Sequence, residues 1–313
     1  SVNPYSGNVY ITDAYDYKVK GDVLCFSPQG QLIFKLPNVG INSNTVLFRN
    51  KASQGNPDEN PADPEAGAFA NKVLEYNPAP SQYMNTSYTA YEEGFTGIQV
   101  LARATELLQD RTTCLFTLGG FGGNITVGFD HTILNVPGEY DFKIYGNAYY
   151  DMYGTLLDKP GGNSEPGIVL VSKDTNGNGL PDDEWYELAG SEYNSPATIR
   201  NYEITYYRPT PADGDVKWKD NQGKEGYIYR NTYHTQGSYY PAWMPAEITF
   251  RGSRLADNSI NEPRPGMPEH WVGYCYAWGY ADNHPNNTEY SQFKIDWAVD
   301  KDGKPVHLDG IDF

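Results

Sequence analysis

Residues 174–183, DTNGNGLPDD, have the residue types and spacing of a calcium-binding loop. Aspartate and asparagine alternate along the first half, which turns one side-chain oxygen at a time toward a common centre, and two glycines permit a tight backbone turn. Oxygen ligands in a flexible loop are what Ca²⁺ prefers. The sequence therefore predicts a structural Ca²⁺ site whose ligands are Asp174, Asn176, Asn178, Leu180 through its carbonyl, and Asp182 or Asp183.

An Asn/Gly-rich β-turn that holds no metal is the alternative interpretation of this loop. The bidentate glutamate of a helix–loop–helix calcium site is missing, because Trp185 stands at the twelfth position. The segment that follows, WYELAG, is short and aromatic. We therefore expect the loop to join two strands, and a calcium affinity suited to the high concentration outside cells.

Two further segments are dense in aromatic and polar residues. Residues 233–244, YHTQGSYYPAWM, contain Gly237 and Pro241 and lack strand alternation, which predicts a loop that presents side chains. Residues 274–284, YCYAWGYADNH, begin as an alternating strand and end in a turn. Aromatic loops on a rigid scaffold suit a flat ligand. The predicted ligand-binding residues are His234, Gln236, Tyr239, Tyr240, Trp243, Tyr276, Trp278, Tyr280, Asp282 and Asn283.

Each of these residues also has a structural alternative. Tyr239, Tyr240 and Trp243 would serve equally well as core packing. Asp282 has three roles open to it, namely ligand binding, a second cation or its own turn, and for Asn283 the turn role is favoured.

Recognisable catalytic motifs are absent. The sequence has no GxSxG or HExxH, and the GGFGG at 119–123 is not followed by Lys-Ser/Thr, so it indicates a tight bend rather than a phosphate loop. Because the chain has 40 acidic residues, carboxylate pairs occur by chance and identify no glycosidase site. We expect a binding protein and not an enzyme.

The composition of the chain limits the classes of partner that it can bind. A net charge of −17 over 313 residues argues against nucleic acid and against an anionic membrane surface, because phosphates would be repelled. The three cysteines show no CxxC and no zinc pattern. No signal-peptide pattern is present, and the chain is expected to begin within a longer protein.

The turn-rich composition, with 32 Gly, 22 Pro and 27 Tyr, favours strands over helices. We predict a mainly β fold, a jelly-roll-like antiparallel sandwich with one packed helix from Thr96 to about Asp110. Three regions are expected. Residues 1–49 form a short N-terminal β segment similar to a propeller blade, 50–71 a polar, proline-rich linker, and 72–313 the β-sandwich ligand-binding domain.

Several long motifs in one order resemble the C-terminal domain of Bacteroidetes cell-surface lipoproteins, in particular surface-exposed vitamin B12-binding lipoproteins of the BtuH type. These motifs are LGGFGGNITVGFDH, PGEYDFKIYGNAYY, EPGIVLVSKDTNGNGLPDDEWYELAGSEY, HTQGSYYPAWM, WGYADN and FKIDWAVDKDGKPVHLDGIDF. The resemblance spans roughly residues 72–313. It implies a lipid-anchored protein on the extracellular face of the outer membrane, preceded by a propeller.

The resemblance also implies a function. Such a protein would capture a cobamide (vitamin B12) as a ligand and pass it to a TonB-dependent outer-membrane transporter. His234 would then lie near the cobalt centre or act only as a hydrogen-bonded loop residue. Two other classes stay open at this stage, a glycan-binding surface module and a protein-interaction domain of a surface complex.

Overall fold

The structure is a computed structural model that describes residues 9–13, 21–40, 67–109, 115–151 and 160–313. The chain divides into two compact units, Ser1–Pro61 and Ala62–Phe313. The boundary between them falls inside the segment 50–71 that the sequence predicts as a linker.

The first unit contains a three-stranded antiparallel sheet of β1 (Val9–Asp13), β2 (Gly21–Phe26) and β3 (Leu32–Gly40), in that order. The turn between β2 and β3 is closed by Ser27, whose side-chain oxygen accepts hydrogen bonds from the backbone N–H groups of Gln29 and Gln31. Residues 21–40 therefore form a β-hairpin. Residues 41–49 lie outside the described residues, and the likeness of 1–49 to a propeller blade stays a prediction.

The second unit is built from short strands and one α-helix in its described part. In chain order these are β4 (Lys72–Asn77), α1 (Gly97–Gln109), β5 (Asn124–Gly128), β6 (Ile133–Leu134), β7 (Phe142–Lys143), β8 (Tyr149–Tyr150), β9 (Gly161–Asn163), β10 (Leu170–Ser172), β11 (Trp185–Leu188), β12 (Ile199–Tyr207), β13 (Val216–Asp220), β14 (Glu225–Ile228), β15 (Glu247–Arg254), β16 (Ser259–Asn261), β17 (Trp271–Tyr274), β18 (Gln292–Phe293), β19 (Ala298–Val299) and β20 (Gly310–Ile311).

These strands form several small antiparallel sheets. Two sheets have four strands, in the orders β14-β13-β12-β15 and β16-β17-β9-β8, and one has three, β10-β11-β19. The remaining strands form the pairs β18-β7, β20-β6 and β4-β5. The predicted mainly β fold with one packed helix is confirmed, and the antiparallel sheets are consistent with a β-sandwich.

The sheet β14-β13-β12-β15 separates core from solvent by simple alternation. Ile204 and Tyr206 of β12 are buried, whereas Thr205 between them faces the other side. The inner face packs into a core cluster with β15 and with the loop after β14. Its buried members are Ala79, Tyr202, Ile204, Tyr206, Val216, Tyr239, Tyr240, Ile248 and Phe250.

Helix α1 covers a second cluster. Val100 and Ala104 are fully buried against β4. The helix begins one residue after Thr96, whose backbone N–H and hydroxyl both donate to Gln99 Oε1 at 2.9 Å. Ile98 is 83% exposed because it projects away from the side of the helix that carries Val100 and Ala104. No helix in the part of the chain that the structure describes is long and apolar enough to cross a membrane.

The GGFGG segment is the predicted tight bend. Gly119 and Gly122 have φ of +82° and +90°, conformations that favour glycine. A Cβ at Gly122 would lie 2.1 Å from Phe250 Cβ. Between them, Phe121 packs edge-on against Tyr202 in the core, with ring centroids 4.9 Å apart. Residues 115–120, which lead into this bend, form no strand.

Candidate functional site

Two loops, 81–89 and 231–244, meet and hold accessible rings and amides together. The paired-loop site consists of Gln82, Tyr83, Tyr88, Asn231, His234 and Gln236. Tyr83 is its centre, because its ring lies 4.4 Å from the His234 ring and 5.5 Å from the Tyr88 ring. The Tyr83 hydroxyl also lies 3.1 Å from His234 Nε2. Tyr88 is 45% exposed, so the cluster opens to solvent.

Asn85 fixes the first loop onto the second. Its amide nitrogen donates to the carbonyl oxygens of Ser238 (3.2 Å) and Tyr240 (2.9 Å), and its oxygen accepts from Ala242 N–H at 2.7 Å. Tyr83 and Asn85 have φ of +65° and +58°. Because this conformation costs a non-glycine residue about 1–2 kcal/mol, the contacts must hold it in place.

Asn231 and the buried Tyr239 support the second loop from below. The Tyr239 hydroxyl donates to the His234 carbonyl at 2.8 Å and accepts from Asn231 N–H at 3.2 Å. Asn231 Oδ1 accepts from His234 N–H at 2.8 Å, and its amide nitrogen donates to Gln82 Oε1 at 3.0 Å. These hydrogen bonds hold the second loop in one conformation without a ligand.

Uncharged polar groups surround the rings. The Gln236 amide fits between Tyr83 N–H and the His234 carbonyl when its oxygen faces the first and its nitrogen the second. The Arg230 guanidinium, the nearby cation, is occupied by the carbonyl oxygens of Gln236 (2.8 Å) and Asp213 (2.7 Å). This arrangement can stack on a flat face and exchange hydrogen bonds with neutral groups at its edge.

The structure corrects the prediction that Tyr239 and Tyr240 bind ligand. They are 1% and 0% exposed and belong to the core cluster of the four-stranded sheet. Burial raises the pKa of Tyr240 to about 12, and its hydroxyl donates to the Pro245 carbonyl at 2.6 Å. In this loop both consecutive tyrosines turn inward, because no strand alternation directs one of them to solvent.

Trp243 is also a packing residue. Its ring stacks on Tyr91 at 5.3 Å with an interplanar angle of 19°, and it lies 6.5 Å from the Tyr76 ring. It lies against the start of helix α1, where a Cβ at Gly97 would be 3.5 Å from its ring. Of the first predicted cluster, His234 and Gln236 alone lie in the paired-loop site.

The second predicted cluster makes its contacts elsewhere and is mostly internal. Strand β17 ends at Tyr274, so the predicted alternation through Tyr276 and Trp278 is not a strand face. The Tyr276 hydroxyl donates to the Ala256 carbonyl, and the buried Tyr280 hydroxyl accepts from Glu192 N–H at 2.9 Å. These two tyrosines are therefore corrected from ligand contacts to structural residues.

Asn283 and Asp282 organise loops. Asn283 is fully buried, with its oxygen accepting from Tyr276 N–H (2.8 Å) and its nitrogen donating to the Tyr276 carbonyl (2.9 Å), which confirms the favoured turn role. Asp282 Oδ1 accepts from Asn147 N–H and Ala148 N–H, each at 2.7 Å, and burial raises its pKa. Among the five predicted ligand-binding residues of the second cluster, Trp278 is the one classed as exposed, at 37%, and its ring packs on Trp297.

The 174–183 loop curls around the Asp174 carboxylate. Oδ1 accepts from Gly177 N–H at 2.7 Å and Oδ2 from Gly179 N–H at 2.7 Å. Asn176 and Asn178 both reach Asp182, at 3.1 Å and 3.0 Å, and these amide N–H groups lower the pKa of Asp182. Leu180 is placed through its own N–H, which donates to Asn178 Oδ1 at 2.8 Å.

One carboxylate oxygen in this loop lacks a donor. Asp183 Oδ1 accepts from the Thr175 hydroxyl, whereas Oδ2 is buried and accepts no hydrogen bond from the described residues. A buried carboxylate oxygen without a partner is costly, and a cation beside it would remove that cost. Asp183 Oδ2 therefore suits a cation, whereas the amide oxygens of Asn176 and Asn178 accept backbone N–H groups. No cluster of three or more His, Cys, Asp or Glu suited to a metal occurs among the described residues.

No protein-family model matches the chain, and no curated protein matches it. The resemblance to surface B12-binding lipoproteins therefore stays a prediction.

Sequence reasoning missed four of the six residues of the paired-loop site, namely Gln82, Tyr83, Tyr88 and Asn231. Gln82, Tyr83 and Tyr88 lie in a stretch whose sequence indicates only irregular structure. Its local density of rings and amides, SQYMNTSY, was the available signal. What joins it to 231–244 is a set of hydrogen bonds between residues about 150 positions apart, such as Asn85 to Tyr240, and no local pattern shows these.

Proposed function

We propose that this chain is a cell-surface binding protein that holds a cobamide at the paired-loop site. The observation that carries the proposal is the exposed Tyr88, which meets Tyr83 edge-on at 72°, while Tyr83 lies at a tilt of 57° against His234. The neutral amides of Gln82 and Gln236 belong to the same two loops. A corrin offers flat apolar faces edged by amide side chains, which such a surface matches. The sequence resemblance supports the same ligand class.

Preorganisation would supply the affinity. Asn85, Asn231 and Tyr239 already fix the loop conformation through hydrogen bonds between 2.7 and 3.2 Å. Binding would then cost little conformational entropy. His234 would contribute its ring face, because its Nε2 already shares a hydrogen bond with the Tyr83 hydroxyl.

The same proposal covers location and partner. The protein would be lipid-anchored on the extracellular face of the outer membrane and would deliver the cobamide to a TonB-dependent transporter without a catalytic step. The support is the sequence resemblance, the uncharged polar groups at the edge of the site, and the net charge of −17, which disfavours nucleic acid as a partner.

The test of the ligand class compares two immobilised ligand sets. Purified protein is passed over immobilised cobalamin and, in parallel, over a glycan array. The proposal predicts retention by cobalamin that free cyanocobalamin reverses at micromolar concentration. Glycan retention that depends on Tyr88, with no retention by cobalamin, would replace the cobamide with a saccharide at this site.

We further propose that Ca²⁺ binds the 174–183 loop through Asp174, Asn176, Asn178, Asp182 and Asp183, with the Leu180 carbonyl as a further ligand. The support is the alternation of Asp and Asn along the loop and the buried, unpartnered Asp183 Oδ2. A cation would replace the amide N–H groups that Asn176 and Asn178 donate to Asp182. The loop joins β10 to β11, and Asp174 N–H donates to Asp312 Oδ2 at 2.9 Å, so the metal would stabilise the contact with the C-terminal segment.

Chelation should lower the melting temperature. With calcium at 100 times its Kd, its loss removes about 2.7 kcal/mol, or roughly 5–10 °C for a domain of this size. In the Asp182→Asn variant, calcium should no longer raise the melting temperature. The matched control is Asp300→Asn, because Asp300 closes a hairpin turn by accepting from Asp302 and Lys304 N–H, both at 2.9 Å. Identical melting curves with calcium and with chelator would rule out a stabilising metal in this loop.

A further inference from the structure

The outer face of the sheet β14-β13-β12-β15 carries tyrosines that the core does not use. Tyr227 and Tyr229 are 47% and 69% exposed, with ring centroids 6.0 Å apart, and Tyr207 is half-buried on the same face. The tyrosine face is defined here by these three residues with Lys217 and Thr205. None of them belongs to the paired-loop site.

Strand register fixes the spacing of these rings. Lys217 of β13 pairs with Tyr227 of β14 on one side and with Tyr207 of β12 on the other. Directly paired residues project from the same face, so both rings flank the Lys217 stem. Because neighbouring strands lie about 4.8 Å apart, the two tyrosines stand about 10 Å from each other.

The inner side of the same strands confirms which way these side chains face. Trp218 lies over Gly226, where a Cβ would be 2.7 Å from its ring, and Trp218 packs on the buried core. Tyr227 follows Gly226 and therefore projects to solvent. The sheet is thus apolar inside and aromatic-polar outside.

Charge on the tyrosine face is balanced. Its strands carry three basic and three acidic side chains that face outward. Lys217 and Lys219 both pair with Glu225, at 3.2 and 3.5 Å, and Arg251 pairs with Glu203. The third acidic side chain is Glu247. On a chain of net charge −17 this is a locally neutral surface. It neither attracts nor repels a charged partner, so an uncharged ligand fits it best.

From these observations we propose that the tyrosine face binds an uncharged, extended oligosaccharide or polysaccharide, at a site separate from the cobamide. Sugar rings present flat C–H faces that stack on tyrosine, and their hydroxyls bond to groups such as Thr205, Lys217 and Glu247 at the sheet surface. The 10 Å spacing spans about a disaccharide, and an open sheet face lets a chain continue past both ends.

Affinity electrophoresis tests this site on the full chain. Native gels containing starch, mixed-linkage β-glucan, galactomannan or xylan are compared with a gel lacking polysaccharide. We expect retardation by at least one of them. Tyr227→Ala and Tyr207→Ala should each weaken it at least about tenfold, whereas Tyr227→Phe, which keeps the ring, should retain it.

Two controls separate this result from the other proposals. Tyr149→Ala removes a 60% exposed tyrosine from another sheet and should not change retardation. Tyr88→Ala should leave it unchanged as well, since Tyr88 belongs to the paired-loop site. Absence of retardation in all four gels, or equal retardation of wild type and a folded Tyr227→Ala, would overturn the inference.

Discussion

Gly122→Ala is expected to prevent folding of the second unit or to destabilise it by about 4 kcal/mol or more. The new Cβ would lie 2.1 Å from Phe250 Cβ and 2.5 Å from Phe250 Cγ, and Phe250 is buried in the core cluster. Phe250 cannot withdraw, because it pairs through β15 with Ile204 of β12. Since a domain is stable by only about 5–15 kcal/mol, one such clash consumes a large part of its stability.

The matched control is Gly138→Ala. Gly138 has nearly the same backbone angle, φ +83°, but nothing lies within 4 Å of its Cβ position. The Gly138→Ala substitution should therefore lower the free energy of unfolding only by the backbone strain, about 1–2 kcal/mol. Urea unfolding followed by circular dichroism compares the two. Equal midpoints would show that the bend adjusts to a methyl group and that its packing is not specific.

Trp243→Ala is expected to destabilise the protein by about 3 kcal/mol. The ring stacks on Tyr91 and packs with the cluster that includes Val100 and Ala104 of helix α1. Loss of the ring leaves a cavity between the helix and the 231–244 loop. Because Trp243 is partly exposed, we expect the decrease in unfolding free energy to lie at the lower end of the range for buried aromatic residues.

Trp271→Ala is the control for this change. Trp271 is 63% exposed, so its removal should alter the unfolding free energy by no more than about 0.5 kcal/mol. Thermal unfolding of both variants gives the comparison. A Trp243→Ala protein as stable as Trp271→Ala would mean that Trp243 is available to a ligand after all.

Local sequence patterns predicted most of the scaffold. The turn-rich composition predicted a mainly β fold, the predicted helix from Thr96 to about Asp110 matches α1 within a residue at each end, and the glycines of 119–123 indicated the bend. These features depend on residues close in the chain. The candidate calcium loop is visible in the sequence for the same reason, since the hydrogen bonds within the loop join residues at most eight positions apart.

The binding residues were harder to predict because exposure is a tertiary property. Tyr239 and Tyr240 have the same local composition as an exposed binding loop, yet the sheet beneath draws both into the core. Tyr83 and Tyr88 enter the site only because Asn85 joins their loop to Ser238 and Tyr240. A pattern of residue types shows where aromatic side chains are concentrated, but not which of them remain accessible.

The most direct test of the binding site is a calorimetric titration of cyanocobalamin into wild type, Tyr88→Ala and Tyr149→Ala. Tyr88 is 45% exposed at the paired-loop site, and Tyr149 is 60% exposed on another sheet. We expect saturable binding by wild type and Tyr149→Ala, and affinity at least about tenfold weaker for a folded Tyr88→Ala. Absence of heat with wild type at micromolar ligand, or equal affinity of wild type and Tyr88→Ala, would contradict a cobamide site between these loops.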